Sequence, residues 1–210
     1  VTSGLELAEL SVEEFGASLD TLTGIYGAAM NQPALQLPGR RSIMERHARY
    51  AGLRAVAALT PRTGAQSAAG SGRHGARGGG SGRGIAGFAY GFHGARGQWW
   101  HDLVRDTIAA KRGLEVADEW LPDSFEIAEV HVHPEYQGRG MGRAMMLRLT
   151  AGRPERTAVL STMDADTRAH RLYGGLGFQD LLGGFAFPGA DMPYVIMGAR
   201  LPLRDLPVPR

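Results

Sequence analysis

The run Gln137-Gly138-Arg139-Gly140-Met141-Gly142 is where this sequence announces chemistry, because an extended apolar segment enters it and a helical run, Arg143 to Thr150, leaves it. Ile127, Val130 and Val132 supply β-formers upstream, and Pro134 with Glu135 ends the strand. A strand, a glycine turn and a helix start in that order build an anion site. The first N–H groups of a helix have no partner within it, and the positive end of its dipole favours phosphate. Glycines at 138, 140 and 142 let the backbone approach a diphosphate with no Cβ in the way, and Arg139 and Arg143 add positive charge.

Spacing narrows the ligand. The third glycine of a dinucleotide fingerprint would fall at Arg143 or Met145, and neither is glycine. Arg143 and Ala144 stand where a Walker loop needs Lys and Ser or Thr. His131 and His133 alternate along the strand but bring no third ligand, so no metal site is predicted. Ser124 and Ser161 lack a nucleophile signature. Met141, Met145 and Met146 have the spacing of core packing, although Met141 lies within the turn.

Elements on either side must position this turn. Thr157 to Met163 reads as a buried strand, and Asp166 to Phe178 as a helix stopped by Gly174, Gly175 and Gly177. With these in place the chain resembles the GNAT superfamily of acyl-CoA-dependent N-acyltransferases. The resemblance rests on Gln137-x-x-Gly140-x-Gly142 after a strand ending Val132-His133-Pro134, followed by Ala169-x-x-Leu172-Tyr173-x-x-Leu176-Gly177-Phe178. It covers residues 125 to 180 firmly and the remainder loosely.

The resemblance implies an α/β fold: a mixed, mostly antiparallel sheet with flanking helices, splayed between the fourth and fifth strands. It implies acetyl-CoA as acyl donor and direct transfer to a primary amine of a small molecule or peptide. Val130, His131 and Val132 would run beside the pantetheine arm, with a bulge near them freeing a backbone N–H for the thioester oxygen. Gln137 to Arg143 would take the diphosphate. Asp166 stands where many relatives carry asparagine, and Tyr173 matches the family tyrosine near the sulfur. Glu126 lies where several relatives hold the residue that accepts the amine proton, usually through water. Glu129 competes with it; regular alternation puts the two on opposite faces, a relation that a bulge would change. A sensor or structural protein that binds acyl-CoA and transfers nothing is the alternative reading.

The bulk numbers lead to the expectation of a soluble, unexported protein. A chain of 210 residues, 43% hydrophobic, can bury a full core, and it is read as one GNAT domain over 1–210. It contains no cysteine, which excludes disulfides and a thiol nucleophile and suits a cytoplasmic location. No apolar run approaches the roughly 20 residues that span a bilayer, so no membrane partner is predicted. Net charge is +2, Lys111 is the lone lysine, and broad attraction to nucleic acid is not expected.

Upstream, Gly4 to Leu10 reads as a strand and Ser11-Val12-Glu13-Glu14 as a capping box opening a helix to about Met30. Pro33 and Pro38 precede a second helix, about Arg40 to Ala51, then a strand from Arg54 to Thr60. Residues 61–84 are rich in Gly, Ser, Ala and Arg without an acidic residue, and read as a disordered insertion before the strand Ile85 to Phe92. An RNA-contacting arm is the competing reading, but no aromatic is interleaved for stacking. A second insertion, 94–123, carries Trp99, Trp100 and Trp120 around a helix from His101 to Arg112. Its acids, Asp102, Asp106, Glu115, Asp118, Glu119 and Asp123, suggest a cationic amine, or else a solvated face. Strands from Phe178 to Phe187 and from Pro193 to Leu201 complete the sheet, and a homodimer is an expectation from relatives.

Overall fold

Strands with both faces covered carry near-continuous apolar side chains, and RAVAAL and IAGFAYGFH are buried along nearly their whole length. They become β2 (Arg54–Leu59) and β3 (Ile85–His93) in a computed structural model that describes residues 6–60 and 83–204. The other strands are β1 (Glu6–Leu10), β4 (Ser124–Val132), β5 (Thr157–Met163), β6 (Gln179–Phe185) and β7 (Tyr194–Arg200). Their order in the sheet is β1-β2-β3-β4-β5-β7-β6. Every neighbouring pair is antiparallel except β4 and β5. That parallel pair is matched only from Ser124↔Thr157 to Glu126↔Val159, after which the two strands are no longer paired.

Helices α1 (Val12–Ala17), α2 (Leu19–Met30) and α3 (Leu37–His47) precede β2. The segment between β3 and β4 folds as α4 (Trp99–Arg112) and α5 (Leu114–Trp120), while α6 (Met141–Thr150) and α7 (Arg168–Gly174) flank β5. On one face a single core joins Phe125 and Ile127 of β4 to Met141, Met145, Met146 and Leu149 of α6. The other face carries two cores. One packs α1 to α3 through Phe15, Leu22 and Met44 onto Phe88 and Tyr90, and the second packs α4 and α5 onto β5 to β7 through Val104, Ile108, Trp120 and Val159. The β4 strand runs along the seam between those two.

Several boundaries differ from the sequence reading for local reasons. The capping box forms, with Ser11 N–H donating to Glu14 Oε2 at 2.9 Å and Glu14 N–H to Ser11 Oγ at 3.1 Å, but the helix divides at Ser18. Helix α3 starts at Leu37 rather than Arg40, because Pro38 sits in the first turn, where its missing N–H loses nothing. Gly113, at φ 99°, turns the chain into α5, an element the sequence reading lacked. The expected insertion 61–84 lies outside the described residues from 61 to 82. Its two ends meet, with Thr60 N–H donating to the Gly84 carbonyl at 2.8 Å and Gly84 N–H to Thr60 Oγ1 at 3.0 Å. Among the described residues no helix is long and apolar enough to cross a membrane.

Candidate active site

The glycine turn takes the shape its composition demands. Gly138 and Gly140 have φ of 76° and 78°, the left-handed region that strains any residue with a Cβ. Gly140 is the residue at which α6 begins, so the first amides of a ten-residue helix open onto the turn. A Cβ on Gly138 would meet nothing within 4 Å, and one on Gly142 would press on Leu172 at 3.2 Å. Gln137 is exposed and donates to the Val132 carbonyl at 3.0 Å, tying the turn to the end of β4. Arg139 lies over the Tyr136 ring at 5.3 Å and donates to the Glu135 carbonyl, and Arg143 donates to the Gly175 carbonyl at 3.4 Å. Met141 is buried in the core beneath. The residues read from sequence as one anion site therefore share one loop and helix start.

A bulge in β4 decides the rest. Tyr90 pairs with Glu129 and the next residue, Gly91, pairs with Ile127, so Ala128 is an extra residue with no opposite number. The expectation placed this irregularity near Val130 to Val132; it lies two residues earlier. One extra residue reverses the alternation beyond it. Phe125, Ile127, Val130 and Val132 consequently all pack towards α6, whereas Glu126 and Glu129 both face the seam on the opposite side. Regular alternation would have separated the two glutamates; the bulge puts them on one face.

The two carboxylates occupy different environments. Glu126, at the last β4 position paired with β5, is 3% exposed; its Oε1 lies 2.6 Å from His101 Nδ1 of α4. Its Oε2 is buried without a hydrogen-bond partner among the described residues. Burial outweighs the His101 contact and pushes this carboxyl above its ordinary range. Glu129 is also buried, but Arg40 Nη1 donates to its Oε1 at 2.7 Å and His131 Nε2 lies 2.5 Å from its Oε2. Burial alone would raise this carboxyl; His131 and Arg40 reverse that and hold it below its ordinary range. A carboxylate held so firmly as an anion is a poor proton acceptor.

Around Glu129 the cluster continues through Tyr26, whose hydroxyl accepts from Arg40 at 3.1 Å and whose ring meets His131 edge-on at 5.1 Å. His47 Nδ1 pairs with the Tyr90 hydroxyl at 3.0 Å, and desolvation pushes the imidazole down to about 4. On the far side of the splay Tyr173 is buried in α7, its ring 5.8 Å from Phe178. Burial, then the Glu129 charge, pushes its phenol well above the ordinary tyrosine range. Asp166 is set apart from these, exposed and paired with Arg171 at 2.5 Å just before α7.

Sequence reasoning missed Arg40, His47 and His101, which reach the seam from helices 25 or more residues away from the glutamates. Only the polar character of His101 inside an amphipathic helix pointed to it. The insertion acids are also placed differently from the cationic-amine suggestion. Asp102 and Asp106 pair with Arg96, Asp118 with Arg105, Glu119 with Arg200 and Asp123 with Arg156. Arginine thus neutralises most of the charge that suggested a cation site.

A sheet parted between a fourth and a fifth strand, with a glycine turn opening a helix beside the gap, defines the GNAT fold. Residues 81–180, a little under half of the chain, match the acetyltransferase (GNAT) domain. The chain is 42% identical over 123 residues to a GCN5-like protein acetyltransferase, Rv2170, of Mycobacterium tuberculosis. The match covers 57% of this chain and 60% of that protein, so the chain aligns with less than two thirds of its curated relative. Among solved structures, Arabidopsis thaliana NAA60 in complex with a bisubstrate analogue superposes with a TM-score of 0.58 at 15% identity, covering 94% of this chain and 99% of that one. The yncA protein of Salmonella typhimurium with its cofactor acetyl-CoA gives 0.54 at 17% identity over 98% of each.

Proposed function

We propose that this protein transfers an acetyl group from acetyl-CoA to a primary amine of a small molecule or peptide within a ternary complex. One observation carries the reading: the part of β4 unpaired with β5, residues 127–132, leads directly into the turn at 137–142 that opens α6. This stretch suits the donor chemically, because the amides at the start of α6 match a diphosphate and an unpaired strand edge matches an extended amide-bearing arm. Acetyl-CoA supplies the acetyl group as a thioester. The likeness to a GCN5-like protein acetyltransferase supports a peptide amine among the acceptors.

In this reading the bulge at Ala128 leaves a backbone N–H free of the β3 ladder to bond the thioester oxygen as negative charge develops there. Glu126 accepts the amine proton through water at its unpartnered Oε2. Its raised pKa makes it a stronger base towards an ammonium group than an exposed glutamate. Glu129, fixed as an anion by Arg40 and His131, orients rather than accepts. Tyr173 keeps its proton and donates a hydrogen bond to the departing sulfur. Full transfer to a thiolate, whose acid titrates near about 8.5, would run uphill from so raised a phenol.

Thiol release from acetyl-CoA, measured with a panel of primary amines and amino-terminal peptides, tests this directly. Turnover with at least one acceptor is expected. Acetyl-CoA binding seen by calorimetry, with no thiol released for any acceptor, would favour a non-catalytic acyl-CoA sensor instead.

A further inference from the structure

We propose that His101, on the α4 segment that separates β3 from β4, is a positioning residue for Glu126. It holds one carboxylate oxygen so that the other is presented to the splay. This deepens the acetyl-transfer reading and rests on it for the role of Glu126.

The geometry is specific. His101 Nδ1 and Glu126 Oε1 are 2.6 Å apart, and both side chains are 3% exposed. With Oε1 held, Oε2 is the oxygen left for a water or an amine. Helix α4 is itself anchored where it must be to deliver that ring. Gln98, one turn before His101, donates through Nε2 to the His93 carbonyl at 3.0 Å and accepts from Ala95 N–H at 3.1 Å. These bonds lock the helix start to the end of β3. Val104 and Ile108 bury the same helix against the sheet. Close packing admits no alternative at Gly94, where a Cβ would stand 2.5 Å from Glu126 Oε1 and 2.7 Å from Ser124 Oγ.

Few other charges face this carboxylate. His93, at the end of β3, contributes from one side and is itself held by Glu155 at 3.2 Å, which Arg153 neutralises. Asp102, next to His101 on α4, opposes ionisation from the other side but is tied to Arg96 and to Gly97 N–H. His101 is the sole group hydrogen-bonded to Glu126 through its side chain among the described residues, so its removal leaves a buried carboxylate with no donor. Such a group both wanders between rotamers and resists ionisation.

Three substitutions separate positioning from bulk packing. His101→Asn places an amide donor where Nδ1 stands, His101→Gln displaces that donor by one bond, and His101→Leu removes it. The acid limb of the pH profile of kcat/KM is expected to move up by at least about one unit in His101→Leu and His101→Gln. Their plateau kcat should fall at least about tenfold, with acetyl-CoA affinity by calorimetry within about twofold of wild type. His101→Asn should recover most of both. Combined with Glu126→Gln, His101→Leu should add nothing further. The carbon-13 titration of the Glu126 carboxyl reads the hold without turnover and should show the same upward move. An unmoved titration in folded His101→Leu or His101→Gln overturns the proposal, as does full additivity with Glu126→Gln. Wild-type protein that releases no thiol, while the His101 variants still show the shifted titration, removes the transferase reading and leaves the pair intact; turnover with an unmoved titration does the reverse.

Discussion

Gly138 and Gly152 allow the diphosphate site to be tested against a matched control within the same molecule. Both have left-handed backbones, φ 76° and 67°, and a Cβ on either would meet nothing within 4 Å. Alanine at each position therefore introduces the same penalty and no clash: about 1–2 kcal/mol for a Cβ in the left-handed region. For a chain of this size that corresponds to a fall in Tm of about 2–8 °C, equal for the two variants. They differ in what occupies the open space. At Gly138 it is the mouth of the turn before α6, where the donor's diphosphate is expected, whereas Gly152 turns the chain after α6 at the opposite end of that helix. Acetyl-CoA binding by calorimetry should weaken at least about tenfold in Gly138→Ala, equivalent to about 1.4 kcal/mol, and stay within about twofold in Gly152→Ala. Equal affinity in both, with the common loss of Tm confirmed, would refute the placement of the diphosphate at this turn.

Glu126→Gln should lower kcat by about a hundredfold or more while raising stability at neutral pH. The folded carboxyl titrates above its unfolded value, so the folded state binds the extra proton and its ionisation weakens the fold as pH rises through that raised value. Urea unfolding at pH 5 and pH 8 should show the difference between wild type and variant growing with pH. Glu129→Gln should be costly to the fold instead, by about 2 kcal/mol or more in urea, because it strips Arg40 of its partner. The opposite sign applies here: the stability due to the Glu129 carboxylate is present above its unfolded value and lost as pH falls through its lowered folded one. His47 is neutral in the fold, so protonation of the unfolded chain below about 6.5 costs the native state up to about 3 kcal/mol by pH 4. His47→Phe should flatten that acid loss in thermal scans between pH 4 and 7. Tyr173→Phe should reduce turnover about tenfold to a hundredfold, the worth of one hydrogen bond to a developing anion, with acetyl-CoA affinity unchanged.

Local signals carried much of the fold. The strand at Thr157–Met163 was read to the residue, since its seven residues are short for a helix and Thr157, Val159 and Thr162 are β-branched. The glycine turn and the helix after it were equally legible, because positive φ and a helix start leave marks in adjacent residues. What escaped depends on residues distant in the chain. The break at Ser18 and the start of α3 at Leu37 are local exceptions, the second set by Pro38 in the first turn. Whether the acids of 94–123 were free could not be read from the sequence, because the arginine for Glu119 comes from Arg200, on the last strand. The site divides in the same way. Glu126 and Glu129 were both named as candidates, but their relative orientation turned on a bulge whose location no propensity encodes, and the held state of Glu129 depends on Arg40, 89 residues earlier.

Ala128 behaves like a spare character in a coded message. Its deletion would set Ile127 and Glu129 in plain succession opposite Gly91 and Tyr90, leaving Val130 and Val132 on α6 and Glu129 with His131 at the seam. Straightening the strand with Ala128 retained would do the opposite: Val130 and Val132 would turn away from α6, and Glu129 with His131 would be driven into its methionine-lined underside. The acceptor side and the donor side therefore depend on where the extra residue is absorbed, more than on which side chain it carries.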